Sequence, residues 1–175
     1  MKLNIGSGGT KIKGYISVDK YHDGADVKAP ANDTGYKSET VSEIFCSHMI
    51  EHIELDEFKM CLDHWYDILK IGGKMHLMCP NAEVYVKEWL YAAQSHNYES
   101  LSGWATRNVL GWENHGKGML NRNLFTPQFL EFLVGNAGFD VEKCVVTETR
   151  VKVKNHVEYR ENGDIQLVAR KMPGV

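Results

Sequence analysis

The residues best suited to chemistry lie near the start of the chain, in the segment LNIGSGG at positions 3–9 and in the acid Asp19. The apolar residues of this segment are typical of a buried strand. Gly6 and Gly8 then predict a turn whose backbone takes positive φ and approaches a ligand closely. A carboxylate at the end of the next short apolar run can accept hydrogen bonds from both hydroxyls of a ribose. These features indicate a site for a nucleotide-like cofactor.

The spacing of these residues separates two classes of cofactor. A dinucleotide fingerprint needs a third Gly or Ala where this chain has Lys11, and its acid follows about 20 residues along. Here thirteen positions separate Gly6 from Asp19. Such a compact turn suits a ligand with a ribose and no pyrophosphate, for example S-adenosylmethionine, whose amino-acid end meets the backbone amides. A tight turn without a ligand is the alternative.

Length and charge limit the domain count and the partners. The 175 residues predict a single domain, residues 1–175, because domains typically hold roughly 100–200 residues. The 20 basic and 23 acidic side chains give a formal charge of −3, and no basic run marks a nucleic-acid face. We therefore expect no nucleic-acid partner.

Cysteine spacing and hydropathy indicate the compartment. The four cysteines lie far apart without a C-x-x-C pair, which predicts reduced thiols rather than a zinc site or a disulfide framework. No apolar run approaches the roughly 20 residues of a membrane span, and the first predicted strand begins too early for a signal peptide. We expect a cytoplasmic protein without membrane association.

Strand and helix patterns alternate along the chain, which predicts an α/β fold with a mostly parallel sheet covered on both faces. After the first strand, further strands are predicted at residues 15–18, 25–27, 44–46 and 75–79, and helices at 55–70, 82–91 and 127–138. The last two apolar runs, residues 141–149 and 165–169, predict an antiparallel C-terminal hairpin. About ten residues separate the first two strands, whereas a helical crossover takes a dozen or more, so a shortened first crossover is predicted.

Five segments resemble, in order and spacing, the motifs of small class I S-adenosylmethionine-dependent methyltransferases. They are LNIGSGG (3–9), VDK (18–20), SEIFCSHMIEHI (42–53), LKIGGKMHLMCPN (69–81) and LFTPQFLEFLVGNAGF (124–139). The resemblance covers nearly the whole chain. It implies a Rossmann-like sheet of seven strands, one of them antiparallel, with the cofactor across the carboxyl ends of the first strands.

The resemblance also implies that eight residues contact S-adenosylmethionine. They are Gly6, Ser7, Gly8, Ser47 and His48 for the methionyl part, Asp19 for the ribose, and Lys20 and Asp33 for the adenine. The adenine assignment stays open, because a second way of counting places Pro30 where the family usually has an acid.

A general base for a hydroxyl acceptor is predicted at His115. This histidine lies in the glycine-bounded polar segment GWENHGKG at residues 111–118, where members of the resembled family place acceptor-binding residues. Histidine is the commonest general base and contributes roughly 10²- to 10⁴-fold. A solvated loop histidine without a catalytic role is the alternative.

His48 and His52 flank Glu51 at a spacing that also occurs in metal sites. No partner ligands are visible in the sequence, so we favour a helix face beneath the cofactor and expect no metal.

The sequence therefore predicts an S-adenosylmethionine-dependent methyltransferase that acts on a small molecule or on the hydroxyl of a sugar or glycan precursor. One alternative keeps the cofactor and changes the acceptor to a protein or nucleic acid. Another is a methyltransferase-like binding or scaffold module without turnover, and a third is an NAD enzyme.

Overall fold

The structure, a computed structural model, describes residues 1–111, 120–147, 149–153, 156–160 and 163–173. Its first half contains β1 (Lys2–Ile5), β2 (Ile16–Val18), β3 (Val41–Ser47), a 3₁₀ turn (Ile50–His52), α1 (Leu55–Ile68) and β4 (Leu69–Pro80). Its second half contains α2 (Ala82–Gln94), α3 (Tyr98–Ser102), α4 (Trp104–Leu110), α5 (Pro127–Asn136), β5 (Phe139–Val146), β6 (Thr149–Val153), β7 (His156–Arg160) and β8 (Asp164–Lys171).

The main sheet has the strand order β2-β1-β3-β4-β8-β5. The pairs among β1, β2, β3 and β4 are parallel, and β8 runs antiparallel to both β4 and β5. The α/β class, the mostly parallel sheet and the antiparallel C-terminal hairpin are thus confirmed. The expectation of seven strands is wrong for the part of the chain that the structure describes, where this sheet has six. The run predicted at residues 25–27 forms only an isolated parallel bridge, between Val27 and Val18.

The first crossover contains no helix, as its length predicts. Residues 6–15 pass from β1 to β2 in turns, and the Asn4 side-chain amide donates to the Thr10 carbonyl oxygen at 3.0 Å. Because this connection is so short, the glycine turn and the end of β2 lie side by side.

The core lies between the sheet and α1, whose buried residues recur at helical spacing. Phe58, Leu62 and Trp65 are almost fully buried, and the Trp65 indole donates to the Ala31 carbonyl oxygen at 2.8 Å. The helix predicted over residues 55–70 ends two residues earlier, at Ile68, and the chain enters β4 at once. Gly72 takes its positive φ of 78° inside β4, at the point where the pairing with β3 shifts register.

The later helices are capped by the residue types that the sequence suggests. The Asn81 side chain accepts from the Glu83 N–H at the start of α2, and the Thr126 hydroxyl accepts from the Phe129 N–H at the start of α5. Between the two strands of the predicted C-terminal hairpin, β5 and β8, the chain forms a separate two-stranded sheet of β6 and β7, which was not predicted.

Within the described ranges, no helix combines the length and apolar character needed to cross a membrane.

Candidate functional site

A cavity of about 470 Å³ opens where β1 and β2 end and the chain leaves β3. Small-molecule sites typically occupy roughly 300–1,000 Å³. The described residues that line it are Ile5, Gly6, Gly8, Asp19, Lys20, Tyr21, Ala29, Ala31, His48, Met49, His52, Ile53, Glu54, Glu57 and Arg122. The cavity therefore lies at the carboxyl ends of parallel strands, where open α/β sheets bind ligands.

The glycine turn forms one wall of this cavity. The turn requires glycine at Gly6 and Gly8, because both residues take positive φ. Gly6 has φ of 67°, and a Cβ there would overlap the Met49 side chain. Gly8 has φ of 51°, and a Cβ on it would meet no atom within 4 Å. The turn thus brings bare backbone to the cavity at Gly8 and packs tightly against Met49 at Gly6.

Asp19 joins this turn to the end of β2. One carboxylate oxygen accepts from the Gly8 N–H at 2.8 Å, and the other accepts from the N–H groups of Tyr21 and His22 at 2.8 and 2.9 Å. Partial burial alone would raise the pKa of Asp19, but these three backbone donors outweigh it and lower the pKa below its ordinary value. The side chain is therefore held as a carboxylate at the cavity wall.

The donors of the glycine turn are largely used within the protein. The N–H groups of Gly6 and Ser7 donate to the Val18 carbonyl oxygen at 2.9 and 3.3 Å. The Ser7 hydroxyl, however, is buried without a hydrogen-bond partner among the described residues. A polar ligand group at this turn would relieve that unsatisfied hydroxyl.

The cavity matches S-adenosylmethionine in the chemistry of its lining. Apolar side chains such as Ile5, Ala29 and Ile53 offer a surface for a flat base, and Asp19 offers an acceptor for hydroxyl groups. The unpartnered Ser7 hydroxyl lies at the turn predicted for the amino-acid end. The residues present thus fit a nucleoside with a short polar extension.

His48 lies at the far side of the cavity in a strained backbone conformation. It follows β3 directly, has φ of 51°, and donates its backbone N–H to the Met78 carbonyl oxygen at 2.8 Å. Its ring nitrogens face two carboxylates: Nε2 lies 3.2 Å from Asp164 and Nδ1 lies 3.3 Å from Glu51. The hydrogen bonds with Asp164 and then Glu51 outweigh burial and raise the pKa of His48 from its ordinary value of 6.5 to about 10. The ring is therefore an imidazolium at neutral pH.

Arg122 and Asn123, which come after α4, contact the 3₁₀ turn at the cavity. The backbone N–H groups of Arg122 and Asn123 donate to the Glu51 carbonyl oxygen at 2.7 and 3.2 Å. The Arg122 side chain lines the cavity and pairs with Glu54. Gly111 and Leu120 form an antiparallel bridge, and the Leu120 carbonyl oxygen lies 3.3 Å from Nδ1 of His52 in the 3₁₀ turn.

The predicted site residues fall into three groups. Gly6, Gly8, Asp19, Lys20 and His48 line the cavity. Ser7 is buried behind the turn, and Ser47 is half-buried at the end of β3, neither of them among the described lining residues. The predicted base His115 lies outside the described residues.

Asp33 is exposed and is placed away from the lining of the cavity. Its charge acts on His64 of α1, whose pKa is lowered by burial against the opposing influence of Asp33. From the residues just before Asp33, Ala29 and Ala31 line the cavity.

Sequence reasoning missed several lining residues. Met49 and Ile53 lie within the motif at residues 42–53, whose likeness to a cofactor-binding segment was the available signal. Arg122 gave no signal, because its partner Glu54 is far away in the chain. Among the residues that the structure describes, no group of three or more His, Cys, Asp or Glu side chains is arranged to hold a metal ion.

Comparison with known proteins identifies the fold. No family model and no curated protein sequence matches this chain. Several solved structures match it over nearly its whole length. A methyltransferase dependent on S-adenosylmethionine from Methanosarcina mazei is 15% identical with a TM-score of 0.66, and the alignment covers 98% of this chain and 92% of the other.

Two further structures agree with this result. One, from Thermotoga maritima, is an S-adenosylmethionine-dependent methyltransferase described as a possible histamine N-methyltransferase; it is 18% identical with a TM-score of 0.64, over 97% of this chain and 81% of the other. The second, from Haloferax volcanii, was solved in complex with the methyltransferase activator Trm112. It is 14% identical with a TM-score of 0.62, over 98% of this chain and 82% of the other. The protein therefore has the class I S-adenosylmethionine-dependent methyltransferase fold.

Proposed function

We propose that the protein is an S-adenosylmethionine-dependent methyltransferase. The observation that carries this proposal is the cavity at the ends of β1 and β2, with Gly8 and Asp19 on its wall. In the resembled fold, a glycine turn and an acid in these positions hold the cofactor. The agreement of fold, cavity position and lining chemistry supports this function over a general ligand-binding role.

Different residues of the chain would contact different parts of the cofactor. Asp19 accepts hydrogen bonds from the ribose hydroxyls, while Gly6, Ser7, Gly8, Ser47 and His48 surround the methionyl part. Lys20 lies at the adenine end, where the cavity wall contains Ala29 and Ala31. Asp33, which the sequence predicts for the adenine, is exposed and is not among the lining residues, so its contact with the adenine stays a prediction.

When bound, the cofactor supplies an activated methyl group, so the protein has mainly to orient an acceptor against it and to exclude water. We propose His115 as the general base for a hydroxyl acceptor. This role is supported by its flanking residues, since Gly111 pairs with Leu120 and the Leu120 carbonyl oxygen lies 3.3 Å from His52 at the cavity.

We propose that the acceptor is a small molecule or the hydroxyl of a sugar or glycan precursor. The support is the formal charge of −3 and the absence of a basic run in the sequence, which disfavour a nucleic-acid acceptor.

The Haloferax volcanii neighbour has the activator Trm112 as its partner, so an activating protein is a further candidate partner for this chain.

Calorimetric titration with S-adenosylhomocysteine, with NAD in parallel, tests the cofactor assignment. We expect micromolar binding of S-adenosylhomocysteine and none of NAD. Asp19→Ala should weaken binding by about 1.5–3 kcal/mol, the usual contribution of a hydrogen bond to a charged group. Asp140→Asn, at an exposed position of β5, is the matched control and should leave the affinity unchanged. Equal losses in the two variants would contradict the ribose assignment, as would an Asp19→Ala variant that binds normally.

One observation favours a second candidate, a methyltransferase-like binding or scaffold module without turnover. The Asp19 carboxylate already accepts three backbone N–H groups, so this site is structurally complete without a ligand. In that case S-adenosylhomocysteine would fail to bind, and His115→Ala would have no effect on the protein's function. An enzyme would instead bind the cofactor product and lose turnover in His115→Ala.

A further inference from the structure

A second polar cluster lies at the carboxyl edge of the sheet, beside the cofactor cavity and outside its lining except for His48. It consists of Glu51 from the 3₁₀ turn, His48 and Asp164, with Tyr85 of α2 close by. Both carboxylates contact the His48 ring, at 3.3 Å for Glu51 and 3.2 Å for Asp164. Burial, and after it the charges of Asp164, Glu88 and Glu51, raise the pKa of Tyr85.

This cluster has more acceptors than donors. The side chain of Glu51 is 4% exposed, and its Oε2 is buried without a hydrogen-bond partner among the described residues. His52 does not complete it, because its Nε2 lies 3.8 Å from the carboxylate. Two carboxyl groups thus share one histidine ring, and their oxygen atoms outnumber the donors around them. A ligand that brings a donor, and especially a cationic one, would find an acceptor at the exposed member of this pair.

Of the two carboxylates, Asp164 is the one that a ligand can reach. Its side chain is 30% exposed, while that of Glu51 is sealed from solvent. Its backbone is firmly held, because its carbonyl oxygen accepts from the N–H and the hydroxyl of Thr147 at 3.0 and 3.3 Å. The preceding Gly163 has no room for a Cβ against Thr147. The carboxylate is therefore presented from a rigid backbone.

His48 connects this carboxylate to the buried one. The residue adopts a left-handed backbone conformation, which non-glycine residues rarely take and which clusters at functional sites. The ring lies between Glu51 and Asp164, and His48 is also one of the residues that line the cofactor cavity. The imidazolium thus fixes the orientation of Asp164 next to the position proposed for the cofactor.

We propose that Asp164 binds the methyl acceptor by accepting a hydrogen bond from the acceptor's hydroxyl or ammonium group. His48, which contacts Glu51, is the positioning residue that orients the Asp164 carboxylate. The acceptor is accordingly a neutral or cationic hydrogen-bond donor, and an anionic group such as a phosphate is repelled. This inference rests on the proposed methyltransferase function and names the chemical class of its acceptor.

Titration of the protein with small probes, followed through its backbone amide NMR signals, tests the proposal. The probes are glucosamine, which has an ammonium group and hydroxyls, and glucose 6-phosphate, which has an anionic group on a similar ring. With S-adenosylhomocysteine present, we expect glucosamine to shift the amide signals of His48, Gly163 and Ile165 in a saturable way. Its Kd should be at least about tenfold lower than that of glucose 6-phosphate.

Three variants separate positioning from general structure. Asp164→Asn and His48→Asn should each weaken glucosamine binding by about tenfold or more, whereas Asp140→Asn, at an exposed position of β5, should not. Asparagine suits position 48 because it tolerates positive φ. In the wild type the side-chain ¹⁵N shifts of His48 should show both ring nitrogens protonated at pH 8, and Asp164→Asn should reduce that protonation.

The outcomes are distinct. Equal or tighter binding of glucose 6-phosphate overturns the proposal, as does an Asp164→Asn variant that binds glucosamine like the wild type, or an absence of glucosamine binding with and without S-adenosylhomocysteine. If S-adenosylhomocysteine itself does not bind, the proposed function fails. The probe preference of the wild-type protein alone then still decides whether the cluster selects donors. If a variant does not fold, the preference of the wild-type protein for glucosamine over glucose 6-phosphate still tests the proposal.

Discussion

Two glutamates eight positions apart, Glu43 within β3 and Glu51 just after it, are held in opposite ways. Glu43 is surrounded by donors: Lys2 lies 2.6 Å from one oxygen, while Tyr15 donates to the other and His76 lies 3.6 Å from it. Glu51 faces a histidine that it shares with Asp164, and one of its oxygens is buried without a partner.

The difference teaches how to separate a structural carboxylate from a functional one. The donors of Glu43 come from β1, from Tyr15 just before β2, and from β4, so its side chain links neighbouring strands. Burial, the hydrogen bond to Glu43 and its negative charge raise the pKa of Tyr15 to about 12, which keeps this donor protonated. Such a satisfied site has no capacity left for a ligand. The cluster of Glu51 retains that capacity, at the edge where ligands bind.

The largest expected effect comes from removing the satisfied carboxylate. Glu43→Leu should lower the free energy of unfolding by about 1.5–3 kcal/mol, because donors on neighbouring strands lose a charged partner. Chemical denaturation measures this change. The affinity for S-adenosylhomocysteine should stay the same, since Glu43 does not line the cavity. A stability equal to that of the wild type would remove the basis for calling this site structural.

A smaller loss of stability is expected when His48 is substituted, and the size of this loss should depend on pH. His48→Asn should lower the free energy of unfolding by about 1 kcal/mol near pH 6, because it leaves Glu51 and Asp164 without their shared donor. The folded-state pKa of about 10 lies above the ordinary 6.5, so this stabilisation is complete below pH 6.5 and declines as the pH rises toward 10. Denaturation of both proteins at pH 6 and pH 9 measures the difference. A difference that grows with pH would contradict the assigned imidazolium.

The smallest effect is expected at Glu51 itself. Glu51→Gln should change the free energy of unfolding by less than about 1 kcal/mol, because the charge it removes is buried and incompletely paired. The comparison with Glu43→Leu under the same conditions is the informative measurement. If Glu51→Gln were the more destabilising of the two, the surplus of acceptors around His48 would not be real.

The parts of the fold that local pattern predicts were predicted well. The apolar spacing of α1 and the Thr126-Pro127 start of α5 identified those helices, and the count between Ile5 and Ile16 identified the shortened crossover. Sequence reasoning failed where long-range pairing decides the outcome. Residues 25–27 have the composition of a strand, yet they form only a bridge at Val27. Residues 149–160 contribute two strands that pair only with each other.

The site shows the same division. Gly6, Gly8 and Asp19, which were predicted from their spacing, all line the cavity, because the short crossover keeps the glycine turn beside the end of β2. Asp164 and Arg122 were not identified, because each contributes through a partner far away in the chain, His48 and Glu54 respectively. Asp33 was assigned to the cofactor from its position in the sequence, and its exposed side chain lies outside the cavity lining.

By itself, then, the sequence determined the approximate positions of the strands of the main sheet, of α1, α2 and α5, and of the glycine turn and the acid that follows it. These depend on interactions within a few residues, such as helical periodicity, capping and the backbone freedom of glycine. Only the tertiary structure decided that Asp164, at the start of the last strand, meets His48 at the end of the third. The physical reason is that the antiparallel pairing of β8 with β4 brings residue 164 to the carboxyl edge of the sheet, and no local pattern encodes that register.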